Sequence, residues 1–459
     1  MKIQSPTTAP VSPASTPSTT PAANKALPTE RKNEVAARPA APSDVFEGTR
    51  ARPATPAPTP TTPSATGKIS PKDIPAANWT MFVNLNADNN LEPDGKNDLN
   101  EMEAGIGKLA GKMNVIALVD GGSGKDAATG WTNGTRLMYV TPDPTNSNKV
   151  TSREIDVDPN SDLGKMLAAG KGELDTGSPQ VLRAALDYVQ RNVKSDHFAV
   201  DLWDHGNGWR GVSYDDHPSS SLDMQELKQA LSGLPKKVDI LSADACLMAT
   251  AEVADTAKAA GADWLVGSEE VEPGSGWNYT DLLSRASKLF EGGATDVSAE
   301  KMSNAILESY AAGPSSNVTM SATNLAKLPA LNAKLDAFSD ALVKAGGLQD
   351  TALRSAYQSA LRFDDADQMD MGDFAKRVAQ GTQNPALKSA AEQLLATLGD
   401  TTTHSAAKGA ASKYNAATGM TLYAPRGAVD RAYQQKGADW LQSKWNDVIA
   451  TYSSKPRVS

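Results

Sequence analysis

Cysteine is almost absent. Cys246 is the only one in 459 residues, which excludes any intrachain disulfide. Long apolar runs are missing too: nowhere do about 18 apolar residues follow one another, so no segment reads as a membrane span. The N-terminus lacks the apolar stretch of a Sec signal peptide. Basic residues are in deficit, with a formal net charge of -9 and a pI near 5.2. Binding phosphates needs a basic surface, so the expected partner is not a nucleic acid. Only four histidines occur. Three of them, His197, His217 and His404, have no companions at metal-ligand spacing, and no zinc motif is present. No period of 20–50 residues recurs, which removes repeat arrays.

What is present begins with a tail. Residues 1–72 are rich in Pro, Ala, Ser and Thr. Such a composition cannot offset chain entropy by burying apolar surface, so it predicts disorder. Two readings compete for it. One is a solvated linker. The other is a signal for export by a non-Sec, type III-like route, as at the N-termini of bacterial secreted effectors; without such export the chain stays cytoplasmic.

Residues 73–290 alternate between the two periods. Strands are expected at 80–85, 114–119, 136–140, 198–203, 238–243 and 263–267. Helices are expected at 99–113, 180–192 and 224–231. Ser178 and Pro179 form a cap and a first helical position for the second helix. This alternation predicts an α/β fold, a mostly parallel sheet flanked by helices. Residues 291–459 change character. Ala- and Leu-rich helical segments at 299–311, 324–344, 349–361, 372–379 and 384–398 are interrupted by short strand-like pieces at 318–323 and 420–423. A helix at 440–452 closes the region, which is expected to complete the fold of the core.

Cys246 sits in the stretch VDILSADACLMATAE, residues 238–252. An apolar, β-branched run leads into small residues and then helix formers. The pattern reads as strand, tight turn, helix, with the thiol at a helix N-terminus, where backbone N–H groups favour thiolate. About forty residues upstream the run Phe198 to Trp203 ends in Asp204-His205-Gly206-Asn207-Gly208-Trp209. Neighbouring parallel strands would bring the imidazole and the thiol together at the sheet's carboxyl edge, where α/β folds place their sites. A thiolate attacks a carbonyl, an imidazole protonates the leaving amine, and the N–H groups of Gly206 and Cys246 supply an oxyanion hole. The plainer readings are a buried small hydrophobe for Cys246 and a strand-end polar residue for His205.

The two motifs, Asp204 to Trp209 and Asp244-Ala245-Cys246-Leu247-Met248, closely resemble the signatures of the clostripain-like cysteine peptidases (family C11, clan CD). Trp79 with Ala87-Asp88-Asn89-Asn90-Leu91-Glu92, the stretches Gly267 to Glu270 and Glu272 to Trp277, and Gly419 to Tyr423 are similar to further parts of that family. The resemblance implies a caspase-like sheet and a thiol endopeptidase with a His205–Cys246 dyad. It also implies protein or peptide substrates cut after Arg or Lys, with Asp244 lining the pocket for that basic side chain. A carboxylate at a pocket floor suits a cation; the plainer reading of Asp244 is a cap or turn residue. Glu269, Glu270 and Glu272 add negative charge to the rim, or form a solvated acidic loop; Trp277 walls the pocket, or belongs to the core. Some relatives cut themselves between the histidine and the cysteine. Here that interval offers few accessible basic residues, whereas Arg31-Lys32, Arg38, Arg50 and Arg52 in the tail are open targets for self-trimming.

No cofactor is required by this scheme. Calcium is a candidate because Asn90, Glu92, Asp94, Gly95, Asp98 and Glu101 fall near EF-hand spacing; Asn at the first place, the intruding Pro93 and a preceding strand stand against it, and the plainer reading is a solvated turn with helix-start carboxylates. The acidic run Asp364, Asp365, Asp367 and Asp370 reads as a solvated face. The alternative to an enzyme is a catalytically inactive caspase-like binding or effector protein that keeps the fold.

Overall fold

The structure, a computed structural model, describes residues 67–122, 131, 133–143, 145, 149–313, 318–406, 414–436 and 440–453. Most of the Pro-rich tail, with its basic sites, lies outside the described residues. Ile69, placed in that tail by composition, is buried and pairs with Ile155.

The first half of the chain runs β1 (Ala77–Ala87), α1 (Glu92–Ile106), β2 (Met113–Gly121), β3 (Gly134–Tyr139), β4 (Arg153–Glu154), α2 (Asp162–Ala169), α3 (Pro179–Asn192), β5 (Ser195–Trp203), β6 (Val212–Asp216), β7 (Ser219–Leu222), α4 (Met224–Leu231), β8 (Ile240–Asp244), α5 (Ala251–Ala259) and β9 (Trp264–Gly267). It continues with α6 (Tyr279–Leu289), α7 (Ala299–Ala312), β10 (Thr319–Asn324), α8 (Leu328–Lys344), α9 (Thr351–Ser359), β11 (Gln368–Asp370), α10 (Met371–Gly381), α11 (Pro385–Thr401), β12 (Thr402–Ala406), β13 (Thr421–Tyr423), α12 (Arg431–Lys436) and α13 (Trp445–Ser453).

Nine strands form one sheet in the order β12-β10-β9-β8-β5-β1-β2-β3-β4. The pairs β2–β1, β1–β5, β5–β8 and β8–β9 are parallel. The outer pairs are antiparallel. The short β4 leaves little open ladder at its edge. The expected α/β class is therefore what the chain adopts. Its strands read as near-continuous apolar runs because both faces are covered. Phe82, Val200, Leu202 and Leu241 point into one core with residues of α3, α4, α5, α8 and α10. Val83, Leu85, Ala199 and Ile240 point into the other, with residues of α1, α6 and α7.

The C-terminal helices do not stand apart. β10 and β12 extend the same sheet. β13 reaches the turn after β8, where the Thr421 N–H donates to the Ala249 carbonyl at 2.9 Å. The buried Glu252 on α5 accepts the Tyr423 N–H at 2.9 Å and the Tyr433 hydroxyl at 3.3 Å. The acidic run at 364–370, expected to be solvated, is part of this weld. Asp365 pairs with Arg210, which also stacks on Trp209 at 4.6 Å. Asp370 is buried and caps α10.

Candidate active site

Parallel pairing puts the carboxyl ends of β1, β5, β8 and β9 along one edge. Trp203 is the register partner of both Leu85 and Asp244. Two residues beyond Trp203 stands His205; two beyond Asp244 stands Cys246. The Asp204 N–H donates to the Asp244 carbonyl at 3.2 Å, carrying the pairing past the strand ends. Gly206 then passes so close to the Cys246 carbonyl oxygen that a side chain there would collide with it. The two sequence motifs are thus brought side by side, and both His205 and Cys246 are buried.

The turn holding the thiol differs from the expected one. α5 starts at Ala251, with Thr250 as its cap accepting the Val253 N–H at 3.1 Å. Cys246 is therefore not at a helix N-terminus, and the helix-dipole argument for its ionisation falls away. The helix formers Leu247 and Ala249 bond across to the post-β9 loop instead. The Leu247 N–H donates to the Glu270 carbonyl at 3.2 Å and that of Ala249 to Ser268 at 2.9 Å. Leu247 adopts φ +65°, a left-handed conformation costing about 1–3 kcal/mol that its surroundings must impose. The thiol lies in a small apolar cluster with Leu247, Val271, Leu361, Phe363 and Tyr414. The Glu272 N–H donates to its sulfur at 3.2 Å.

The His205 Nε2 is 2.8 Å from the Asn90 side-chain oxygen in the β1–α1 loop. That loop is anchored by Asn89, whose side-chain amide donates to the Asp204 carboxyl at 2.7 Å and to the Tyr214 carbonyl at 2.9 Å. Burial pushes the Asp204 carboxyl well above its usual range, against the lowering effect of nearby His205.

Beside the thiol lies a set of buried carboxyls. Asp244 accepts the Trp277 N–H at 3.0 Å. Glu272 accepts the Trp277 indole N–H at 2.9 Å and lies within hydrogen-bonding reach of Asp244. Asp98 accepts the Trp203 indole N–H at 2.7 Å. Asp201 accepts the Tyr279 hydroxyl at 2.8 Å and the Ser242 hydroxyl at 2.6 Å. Gly276, at φ +55°, makes room for them: a Cβ there would stand 2.7 Å from Asp98 Oδ2 and 2.8 Å from Asp244 Oδ2. Burial, then the Asp201 charge, raises Asp244 to about 7. Burial, then Asp244, holds Glu272 and Asp98 well above the ordinary carboxylate range.

Of the residues singled out in the sequence, Asp244 and Trp277 meet in this cluster. Glu269 and Glu270 are buried rather than on a rim or in a solvated loop. Glu269 accepts the Gly419 N–H at 3.0 Å. Glu270 accepts the Val271 and Asp364 N–H groups at 3.0 and 2.8 Å and the Tyr414 hydroxyl at 2.6 Å. Both therefore pin the post-β9 loop to the C-terminal region, and Glu272 takes the place beside Asp244. Asp201 is not singled out by the sequence, though an Asp in the middle of the apolar run 198–203 is a signal, and Asp98 is singled out there only for calcium.

The calcium loop is not formed. α1 begins at Glu92, so residues 92–101 lie on a helix and not in a loop that wraps a cation. Glu92 accepts the Trp131 indole N–H at 2.9 Å and Glu101 the Tyr279 N–H at 3.0 Å. Among the described residues no group of three or more His, Cys, Asp or Glu side chains is arranged to hold a metal ion, and none of the helices is long and apolar enough to cross a membrane.

Residues 83–451 match the Clostripain family, Peptidase_C11. Clostripain of Hathewaya histolytica is 30% identical over 240 residues, which is 47% of this chain and 43% of that protein. The matched stretch is thus less than half the length of that relative. Among solved structures, a secreted C11 cysteine protease from Bacteroides thetaiotaomicron, in complex with an irreversible peptide inhibitor, gives a TM-score of 0.57 at 18% identity, covering 80% of this chain and 99% of the other. An inactive zymogen C11 protease from Parabacteroides distasonis gives 0.55 at 17%, covering 81% and 98%. At such identities the likeness shows the shared caspase-like sheet, while the sequence match over residues 83–451 shows descent: this chain belongs to the clostripain family.

Proposed function

We propose that the protein is a cysteine endopeptidase with Cys246 as nucleophile and His205 as acid and base, cutting after Arg or Lys. The observation that carries this reading is the register of β5 against β8, with Gly206 packed on the Cys246 carbonyl. Sulfur attacks the scissile carbonyl as thiolate, forming a C–S bond while the carbonyl electrons move to oxygen. The N–H groups of Gly206 and Cys246 stabilise that oxyanion. The C–N bond then breaks as His205 gives its proton to the leaving amine, and water drawn through the same imidazole hydrolyses the thioester.

Asp244, with Glu272 next to it, supports the preference for a basic side chain. Both are buried carboxyls whose ionised forms lack a cation partner among the described residues, and an entering guanidinium or ammonium would supply one. Glu269 and Glu270 act here through the loop they pin rather than by touching substrate. Secretion of the Bacteroides relative favours the export reading of the tail.

The test is hydrolysis of fluorogenic peptides ending in Arg or Lys by the wild type, Cys246→Ala, His205→Ala and Asp244→Asn. Loss in the first two variants, and loss of the Arg/Lys preference in the third, is expected. Full hydrolysis by Cys246→Ala would overturn the nucleophile assignment.

A further inference from the structure

The β1–α1 loop presents Asn90 in an unusual way. Asn90 is exposed, yet its side-chain oxygen stands 2.8 Å from Nε2 of the buried His205 ring. Asparagine just ahead of a helix ordinarily caps it. α1 begins two residues later and has no side-chain cap, so that use is forgone. The neighbouring Asn89 does the structural work of the loop. Its oxygen accepts the Leu91 N–H at 2.8 Å while its amide reaches Asp204 and Tyr214. Asn90 is thus held by its neighbour and turned onto the imidazole, where burial gains it nothing.

We propose that Asn90 is a positioning residue: its side-chain oxygen fixes the His205 ring as the Nε2–H tautomer, leaving the Nδ1 lone pair to take the thiol proton. A side-chain carbonyl oxygen only accepts, so the ring nitrogen facing it carries the hydrogen. In the neutral imidazole the other nitrogen is then the base. When the ring is protonated on Nδ1, the Nε2–H···O bond becomes charge-assisted and stabilises the imidazolium. A neutral amide does this without the full raising effect of a carboxylate, so the ring still gives its proton to the amine. The inference rests on the dyad proposed above.

The experiment measures kcat, KM and the pH profile of Arg/Lys peptide hydrolysis for wild type, Asn90→Leu, Asn90→Asp, His205→Ala and Cys246→Ala, with melting curves for each. Nitrogen-15 NMR of histidine in Cys246→Ala reads the tautomer without activity. Asn90→Leu is expected to lower kcat about 10- to 100-fold with KM within about twofold, short of the loss in His205→Ala. Asn90→Asp is expected to recover most of the rate, with the limb belonging to His205 moved upward by about one pH unit or more. The resonances are expected to show the Nε2–H form in Cys246→Ala and a mixture once Asn90→Leu is added. A kcat for Asn90→Leu within about twofold of wild type, or the Nδ1–H form in Cys246→Ala, overturns the assignment. Retained activity in His205→Ala instead overturns the dyad, and the tautomer measurement still decides what Asn90 does.

Discussion

The amide N–H of Glu272 donates to the sulfur of Cys246 at 3.2 Å. The carboxyl of the same residue lies within reach of Asp244. One residue therefore covers the proposed nucleophile with its backbone and crowds the proposed basic-side-chain pocket with its side chain. Cys246 is only 4% exposed, so under the proposed mechanism a substrate has to displace the loop between β9 and α6 before the chemistry begins.

What holds that loop down is measurable. Tyr414 donates to Glu270 at 2.6 Å, and a hydrogen bond to a charged group contributes about 1.5–3 kcal/mol. Since about 1.4 kcal/mol is a factor of ten, Tyr414→Phe should speed alkylation of Cys246 by iodoacetamide about tenfold at fixed pH. A rate equal to wild type would mean that the loop opens without breaking this contact.

The buried carboxyls give a second outcome, and its sign is opposite to that of a salt-bridged aspartate. Burial and Asp201 raise Asp244 from 3.8 to about 7. Between those values the folded chain holds a proton that the unfolded chain has lost. The contribution of this group to stability is therefore fully present below about pH 4 and is lost as pH rises through about 7. Thermal melting of Cys246→Ala, which cannot digest itself under the proposed mechanism, should fall from pH 5 to pH 8. Asp244→Asn and Glu272→Gln in that background should flatten the slope. A basic peptide ligand should raise the melting temperature more at pH 8 than at pH 5. Parallel curves for all three variants would remove these carboxyls as the cause.

Gly206 tests the closeness of the two strand ends. A methyl group there would meet the Cys246 carbonyl oxygen, and overpacking of this kind costs about 1–3 kcal/mol. Gly206→Ala should therefore lower stability by that amount in urea unfolding and reduce kcat more than KM, because the imidazole and thiol are pushed apart. Wild-type kcat in Gly206→Ala would show that the approach has no catalytic consequence.

These outcomes rest on features of unequal legibility. The strands of the parallel core stood out as apolar runs, and α4 begins at Met224, as expected, because Asp223 and Glu226 form a capping box. The two motifs fell at adjacent sheet ends for the same reason. Pro93 argued against a calcium loop and for a turn with helix-start carboxylates, and it stands in the first turn of α1 beside Glu92 and Asp94. The turn after β8 departs from the expected helix because helix propensity is weak beside tertiary bonds, here from Leu247 to Glu270 and from Ala249 to Ser268. The strand β12 was hidden at the end of a helical Ala/Leu segment, with only its Thr residues as a sign. The acid cluster was illegible because Asp98, Asp201, Asp244 and Glu272 come from four separate stretches, and only the fold brings them together.

The link between Arg210 and Asp365 carries the last prediction. Arg210 follows His205 in the same loop, and its pair sits at the start of the C-terminal acidic run. Both side chains are less than one-fifth exposed, at 18% and 16%. Removing one partner leaves a poorly solvated charge, whereas removing both leaves only the more exposed Asp367, which lies 3.8 Å from Arg210. Arg210→Met should then cost about 2–4 kcal/mol. Asp365→Asn added to it should restore a large part, since the amide oxygen still accepts the Asp367 N–H that Asp365 holds at 2.8 Å. Urea unfolding of the four proteins in this cycle measures the coupling. If the two singles add without coupling, this pair does not hold the C-terminal region to the histidine loop, and the packing of Trp209 on Tyr423 and Tyr433 remains as a link. If they couple, loosening that region by Arg210→Met should also lower kcat, because the loop that carries His205 is fixed from both ends.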